Sequence, residues 1–156
     1  MKTTFLIPTT FPILIIMSGC KSEKSEYDRM VEFGQKYTDA WNSKQPENMA
    51  SFYAEDGALT VNGGTPAVGR KQLAATAQSY MEAFPDMVLT MDSLTKEKDT
   101  YRYYWTFKGT NTGLNGTGNK VDFSGFEEWT INEQGLVQKS IGTYDAEEYT
   151  RQLEGN

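Results

Sequence analysis

The sequence predicts an α+β fold, a cone-shaped roll in which three N-terminal helices pack on a strongly curved, mostly antiparallel β-sheet. Three observations lead there. Apolar residues recur at helical spacing through residues 27–43, 46–54 and 70–84. From Asp86 onward the period changes to two, the period of half-buried strands. The chain has 156 residues and 38% hydrophobic side chains, enough for one domain with a real core. Helices that precede a run of long strands pack together on one face of the sheet.

Before the first helix the chain reads differently. Lys2 precedes an apolar run over residues 5–17 that Pro8 and Pro12 interrupt. It is too short and broken to span a membrane and has the character of a secretory segment. Met17-Ser18-Gly19-Cys20 resembles a bacterial lipoprotein lipobox: an apolar residue, two small ones, then Cys. The resemblance implies a signal peptide over residues 1–19, lipidation of Cys20, and attachment to a membrane of the cell envelope, at the outer membrane or cell surface. An ordinary signal peptide with an incidental Cys is the alternative. Residues 20–26 are polar and without period, which suits a tether. The folded domain then occupies residues 27–156.

Within it, Tyr27, Met30, Val31, Gly34, Tyr37, Ala40 and Trp41 form one stripe of the first helix. Pro46 opens a short second helix, because its missing N–H costs nothing in a first turn. Ala58 to Val61 is a short strand, and Asn62-Gly63-Gly64 is a turn signal. Gly69 precedes the third helix, whose inner side carries Leu73, Ala77, Tyr80, Met81 and Phe84. Pro85 ends it. Strands follow at 86–94, 100–110, 120–131 and 136–145, with a Gly/Asn/Thr loop over 109–119 and a last short helix at 147–153. Tyr103 and Trp105 share the inner face of the second long strand.

Alternation in Val121-Asp122-Phe123-Ser124-Gly125-Phe126-Glu127-Glu128-Trp129-Thr130-Ile131 places Phe123, Glu127 and Trp129 on the apolar face. A carboxylate buried there is costly unless it is paired or faces a wet cavity. Glu127 is therefore a candidate functional carboxylate; a salt bridge to Arg102 or Lys139, or a solvated rim, is the structural alternative. The return strand lies after Asn132-Glu133-Gln134-Gly135, whose last Gly suits a left-handed turn position. That spacing sets Glu127 beside residues 139–141.

Composition removes several function classes. The net charge is −6, which disfavours nucleic acid as a partner. There is no His and a single Cys, so neither Ser-His-Asp nor Cys-His catalysis is open, nor a His-ligated or thiolate metal site. No metal and no cofactor are expected.

Several stretches resemble the SnoaL-like polyketide cyclases within the nuclear-transport-factor-2-like superfamily. They are Ala40-Trp41-Asn42, Phe52-Tyr53-Ala54-Glu55-Asp56, Gly69-Arg70, Phe84-Pro85-Asp86, Trp105-Thr106 with Gly109-Thr110-Asn111-Thr112-Gly113, Phe123-Ser124-Gly125, and Asp145 with Gln152-Leu153. The resemblance implies a conical pocket and an acid/base Asp near the end of the last strand, the position of Asp145, with Glu127 at a second polar position. It has Asn111 where the family often has His, and it lacks the Pro-rich segment that commonly follows. Asp145 also has a structural alternative as an N-cap, since Ala146-Glu147-Glu148 follows it. Two functions are expected. One is a lipid-anchored protein that binds a small, largely apolar molecule through Tyr37, Trp41, Tyr103, Trp105, Phe123 and Trp129. The other is cofactor-free isomerisation, cyclisation or (de)hydration of a small carbonyl compound by Asp145 and Glu127. Aromatics at these positions can equally be core volume. A third reading is an interaction protein that forms a homodimer through the outer sheet face, at Tyr104, Phe126 and Ile141.

Overall fold

Ser25 starts the first helix. In the computed structural model, which describes residues 24–156, its hydroxyl accepts the backbone N–H of Asp28 at 3.1 Å, and the Asp28 carboxylate accepts the Ser25 N–H in return. This reciprocal cap satisfies two otherwise orphaned donors and sets α1 at Glu26–Asn42. The lipobox-like Cys20 lies outside the described residues. Among the described residues no helix is long and apolar enough to cross a membrane.

After α1 come α2 (Pro46–Ala50), β1 (Tyr53–Val61), β2 (Ala67–Val68), α3 (Arg70–Ala83), β3 (Val88–Glu97), β4 (Thr100–Thr110), β5 (Lys120–Ile131), β6 (Val137–Tyr144) and α4 (Ala146–Glu154). The six strands form one sheet in the order β2-β1-β6-β5-β4-β3. All neighbours are antiparallel except β1 and β6, which run parallel. Register irregularities in β1, in β3 between Met91 and Ser93, and at the β5–β6 pairing bend the sheet. The helices fill its concave side, burying Met30, Gly34, Tyr37, Ala40 and Trp41 of the α1 stripe and Leu73, Ala77 and Met81 of α3, whereas Tyr27 at the start of the stripe is exposed. Glu127, Trp129, Tyr103 and Trp105 all face inward, whereas Glu128 faces out to Arg102 at 3.1 Å.

The sequence reading needs three corrections. Residues 46–54 do not form one helix. α2 stops at Ala50, and β6 captures the chain that follows: the Phe52 carbonyl accepts the Val137 N–H and Tyr53 pairs with Val137. Backbone pairing to a central strand outweighs the local helical pattern there. Secondly, β1 is longer than expected and parallel to β6, a long-range pairing that local periodicity does not encode. Thirdly, Glu127 sits opposite Gly142, one residue beyond the expected 139–141. An extra residue on β6, between the Ile131–Val137 and Thr130–Lys139 pairs, advances the register by one. The hairpin turn itself is as expected: Gly135 has φ +76°, and the Asn132 side chain accepts the N–H groups of Gln134 and Leu136.

Candidate functional site

Inward alternation on β5 places Glu127 where α1, β1 and β6 converge. It is 7% exposed, and four side chains donate to it. Ser140 Oγ lies 2.6 Å from Oε2, Trp129 Nε1 2.9 Å and Tyr53 OH 3.2 Å. Tyr37 OH bridges Oε1 and Oε2, each at 3.2 Å. No salt bridge reaches Glu127 among the described residues; Arg102 pairs instead with Glu97 and Glu128. Burial pushes the Glu127 carboxyl above its ordinary value, against the downward pull of its four donors. Burial likewise holds the phenols of Tyr37 and Tyr53 well above theirs, and the nearby Glu127 charge adds to it. Both therefore stay protonated and able to donate.

On its other side Glu127 borders a cavity of about 60 Å³ enclosed by α1, α3 and the five long strands. Its walls are apolar and aromatic: Trp41, Leu59, Tyr80, Met87, Leu89, Trp105, Phe107, Phe123 and Tyr144 among them. Glu127 forms the deep end; half-buried Val61, Tyr80 and Tyr144 mark the other. Tyr149 of α4 packs beside that opening, its ring 4.9 Å from Phe123 and 5.5 Å from Tyr144.

Of the residues predicted from sequence, Glu127, Trp41, Trp105 and Phe123 line the cavity. Tyr37 and Trp129 stand behind Glu127 and hold it. Tyr103 stacks on Trp129 at 4.7 Å, and its hydroxyl bonds to Thr38 at 2.7 Å, so its polar atom is committed elsewhere. Asp145 does not join them. It is exposed and caps α4, accepting the N–H groups of Glu147 and Glu148 at 3.0 and 2.9 Å. It lies three residues beyond Gly142, the partner of Glu127, or ~10 Å along the strand. Asp145 thus takes its structural alternative as an N-cap, and the two carboxylates of the acid/base reading do not share a pocket. Asp145→Ala is expected to cost about 1 kcal/mol in a thermal melt through loss of the cap, and to leave ligand binding in the cavity unchanged.

Sequence reasoning missed Tyr53 and Ser140. Ser140 carried a signal, a polar residue at an inward position of an alternating strand. Tyr53 was hidden by its apparent place on a helix. Among the described residues no group of three or more Cys, Asp, Glu or His side chains is placed to hold a metal ion.

A family model described as SnoaL-like polyketide cyclase matches residues 32–153. No curated protein is significantly similar in sequence. Among solved structures, a candidate SnoaL-like polyketide cyclase from Jannaschia sp. superposes with TM-score 0.73 at 16% identity, covering 86% of this chain and 98% of that one. TsrD from Streptomyces laurentii gives 0.71 at 18% identity, covering 85% and 100%. A protein of ketosteroid isomerase-like fold from Catenulispora acidiphila, in complex with trimethylamine, gives 0.70 at 14% identity, covering 79% and 92%. At these identities the likeness is one of fold.

Proposed function

The chain belongs to the SnoaL-like polyketide cyclase family, and on that footing we propose that it binds a small, largely apolar, uncharged molecule in the cavity that ends at Glu127. One observation carries this reading: among the described residues Glu127 is the only carboxylate on the cavity wall, so no second carboxylate converges on a bound molecule. The aromatic walls supply the affinity by burial, and a family that hosts several chemistries does not by itself impose one. A thermal melt of the full chain in detergent, over a panel of small neutral compounds, tests it. A ligand at a hundredfold excess over its Kd stabilises the fold by about 2.7 kcal/mol. A panel in which charged compounds alone raise the midpoint contradicts the reading.

The raised carboxyl of Glu127 favours a second reading, in which it moves a proton on a bound carbonyl compound without a partner acid. Exchange of α-hydrogens of a small ketone in deuterated water, accelerated by the protein and abolished in Glu127→Gln, would establish it.

We also propose that Cys20 is lipidated and anchors the domain to the cell envelope, with the polar tether before Glu26 as spacer. More than one acyl chain is needed for stable attachment. Cys20→Ser is expected to shift the protein to the soluble fraction or leave it as uncleaved precursor; a free Cys20 thiol in membrane-bound mature protein contradicts the anchor. The outer sheet face, where Tyr104 and Phe126 lie 5.9 Å apart and Ile141 is 36% exposed, is the surface for a second copy. Sedimentation of the solubilised chain reports that assembly.

A further inference from the structure

The helix α4 stands at the open end of the cavity without forming part of its wall. None of its residues is buried, and among the described residues none of them lines the cavity. Its aromatic side chain, Tyr149, packs on the rings of Phe84, Phe123 and Tyr144. The last contact matters because Tyr144 shares the opening with Tyr80 of α3, and the two hydroxyls interact across it. A molecule that fills the cavity cannot pass while these two rings meet.

The bonds that hold α4 down are polar and close to solvent. β6 leaves the sheet at Tyr144, opposite Gly125, so β5 has no strand on that side from Lys120 to Ser124. The Gln152 carboxamide fills part of this gap, accepting the Asp122 N–H at 2.6 Å and donating to the Asp122 carbonyl at 2.9 Å. Asn119 donates to the Leu153 carbonyl at 2.9 Å. All four residues are exposed or half-buried, so water replaces these bonds at small net cost when they part. Other bonds lie inside α4 and travel with it. Asp145 caps its first turn, and Glu148 pairs with Arg151. On the sheet side, the Asn62 side chain fixes the Tyr144 N–H at 3.0 Å. The joint between the two rigid parts is thus Tyr144–Asp145.

Resting on the binding reading above, we propose that α4 is a lid, hinged between Tyr144 and Asp145 and latched by Gln152 and Asn119, that lifts for a ligand to enter or leave the cavity. Lifting takes Tyr149 off Tyr144 and frees Tyr144 to turn away from Tyr80. Because α4 does not line the cavity, the latch is equally strong with and without a bound molecule. It therefore sets the rates of entry and exit and leaves the affinity alone.

Benzene, neutral and apolar, is the probe, added to the full chain in detergent. Its exchange is followed by the line shapes of the indole N–H resonances of Trp41 and Trp105, which wall the cavity. Gln152→Ala removes the two bonds to Asp122 and keeps a good helix former. It is expected to speed entry and exit together by about tenfold, with Kd held within about twofold. Asn119→Ala, which leaves α4 untouched, is expected to speed both by about threefold. Asn119→Cys with Gly155→Cys makes the opposite change. A Cβ at Gly155 would lie 3.2 Å from Cγ of Asn119, close enough for a disulfide. The oxidised pair is expected to slow both rates, and dithiothreitol to restore them. Rates that stay at wild-type values in every variant overturn the lid while the binding reading stands. So does faster exit with unchanged entry, the mark of a merely structural contact. A wild type that takes up no benzene overturns both.

Discussion

Glu127→Ala is expected to lower the stability of the fold by about 3–5 kcal/mol. The substitution removes the acceptor of four donors at once. Trp129 Nε1 has the least freedom to adapt, because its ring is fully buried and stacked on Tyr103. The hydroxyls of Tyr37 and Tyr53 already lie 3.2 Å apart and can turn toward one another, so the loss is less than the sum of four. Glu127→Gln should behave differently. It keeps a carbonyl oxygen for one or two of the donors and takes away the buried charge, so at neutral pH its stability should stay within about 1 kcal/mol of wild type. The two proteins should also diverge with pH. Burial holds the folded carboxyl above its ordinary value of 4.5, whereas the unfolded chain ionises near that value. Above about 4.5, then, the folded wild type retains a proton that the unfolded chain has lost, and its stability falls as pH rises toward the folded value. Glu127→Gln lacks this loss, so the difference between them should move in favour of the variant from mildly acid to neutral pH. Denaturant melts of all three proteins at both pH values measure this; a gap that widens in favour of wild type would show a carboxylate stabilised in its charged form.

Gly125→Ala should combine a stability loss of about 1–3 kcal/mol with loss of the cavity. A Cβ at Gly125 would lie 2.6 Å from the Thr143 carbonyl oxygen and 2.6 Å from Cζ2 of Trp105. The carbonyl belongs to the β5–β6 ladder and has little room to move. Trp105 must therefore yield, and the free space beside it is the cavity it lines. Melts report the first effect and a ligand titration the second. The absence of a side chain at position 125 is thus what lets Trp105 lie against the sheet and leave the cavity open.

The change of period at Asp86 made the helix-then-strand order legible, and alternation on β5 was enough to put Glu127 inside and Glu128 outside. Local signals carry that kind of information. They do not carry the parallel pairing of β1 with β6, which brings Tyr53 to Glu127 from 74 positions away, nor the extra residue on β6 that sets Ser140 of the adjoining hairpin strand against it. The same limit applied to Asp145. Its place at the end of the last strand was compatible with a pocket and with a cap, and the one-residue advance of β6 together with the start of α4 turned it outward. Tyr103 was rightly placed on the inner face, but Thr38 of α1, a residue without any apolar signature, takes its hydroxyl. The cavity depends on Gly125 and on the indoles of Trp41 and Trp105 that wall it, an arrangement that exists only once β4, β5 and α1 are assembled.

The central claim is that the space between Glu127 and the two indoles holds a small neutral molecule. Native mass spectrometry of the protein purified from its own cells tests it most directly, with Gly125→Ala purified in parallel. The account predicts a retained small mass on the wild type that is released as an uncharged, largely apolar compound and is missing from the variant. The same adduct on both proteins, or a charged compound on the wild type, would contradict it.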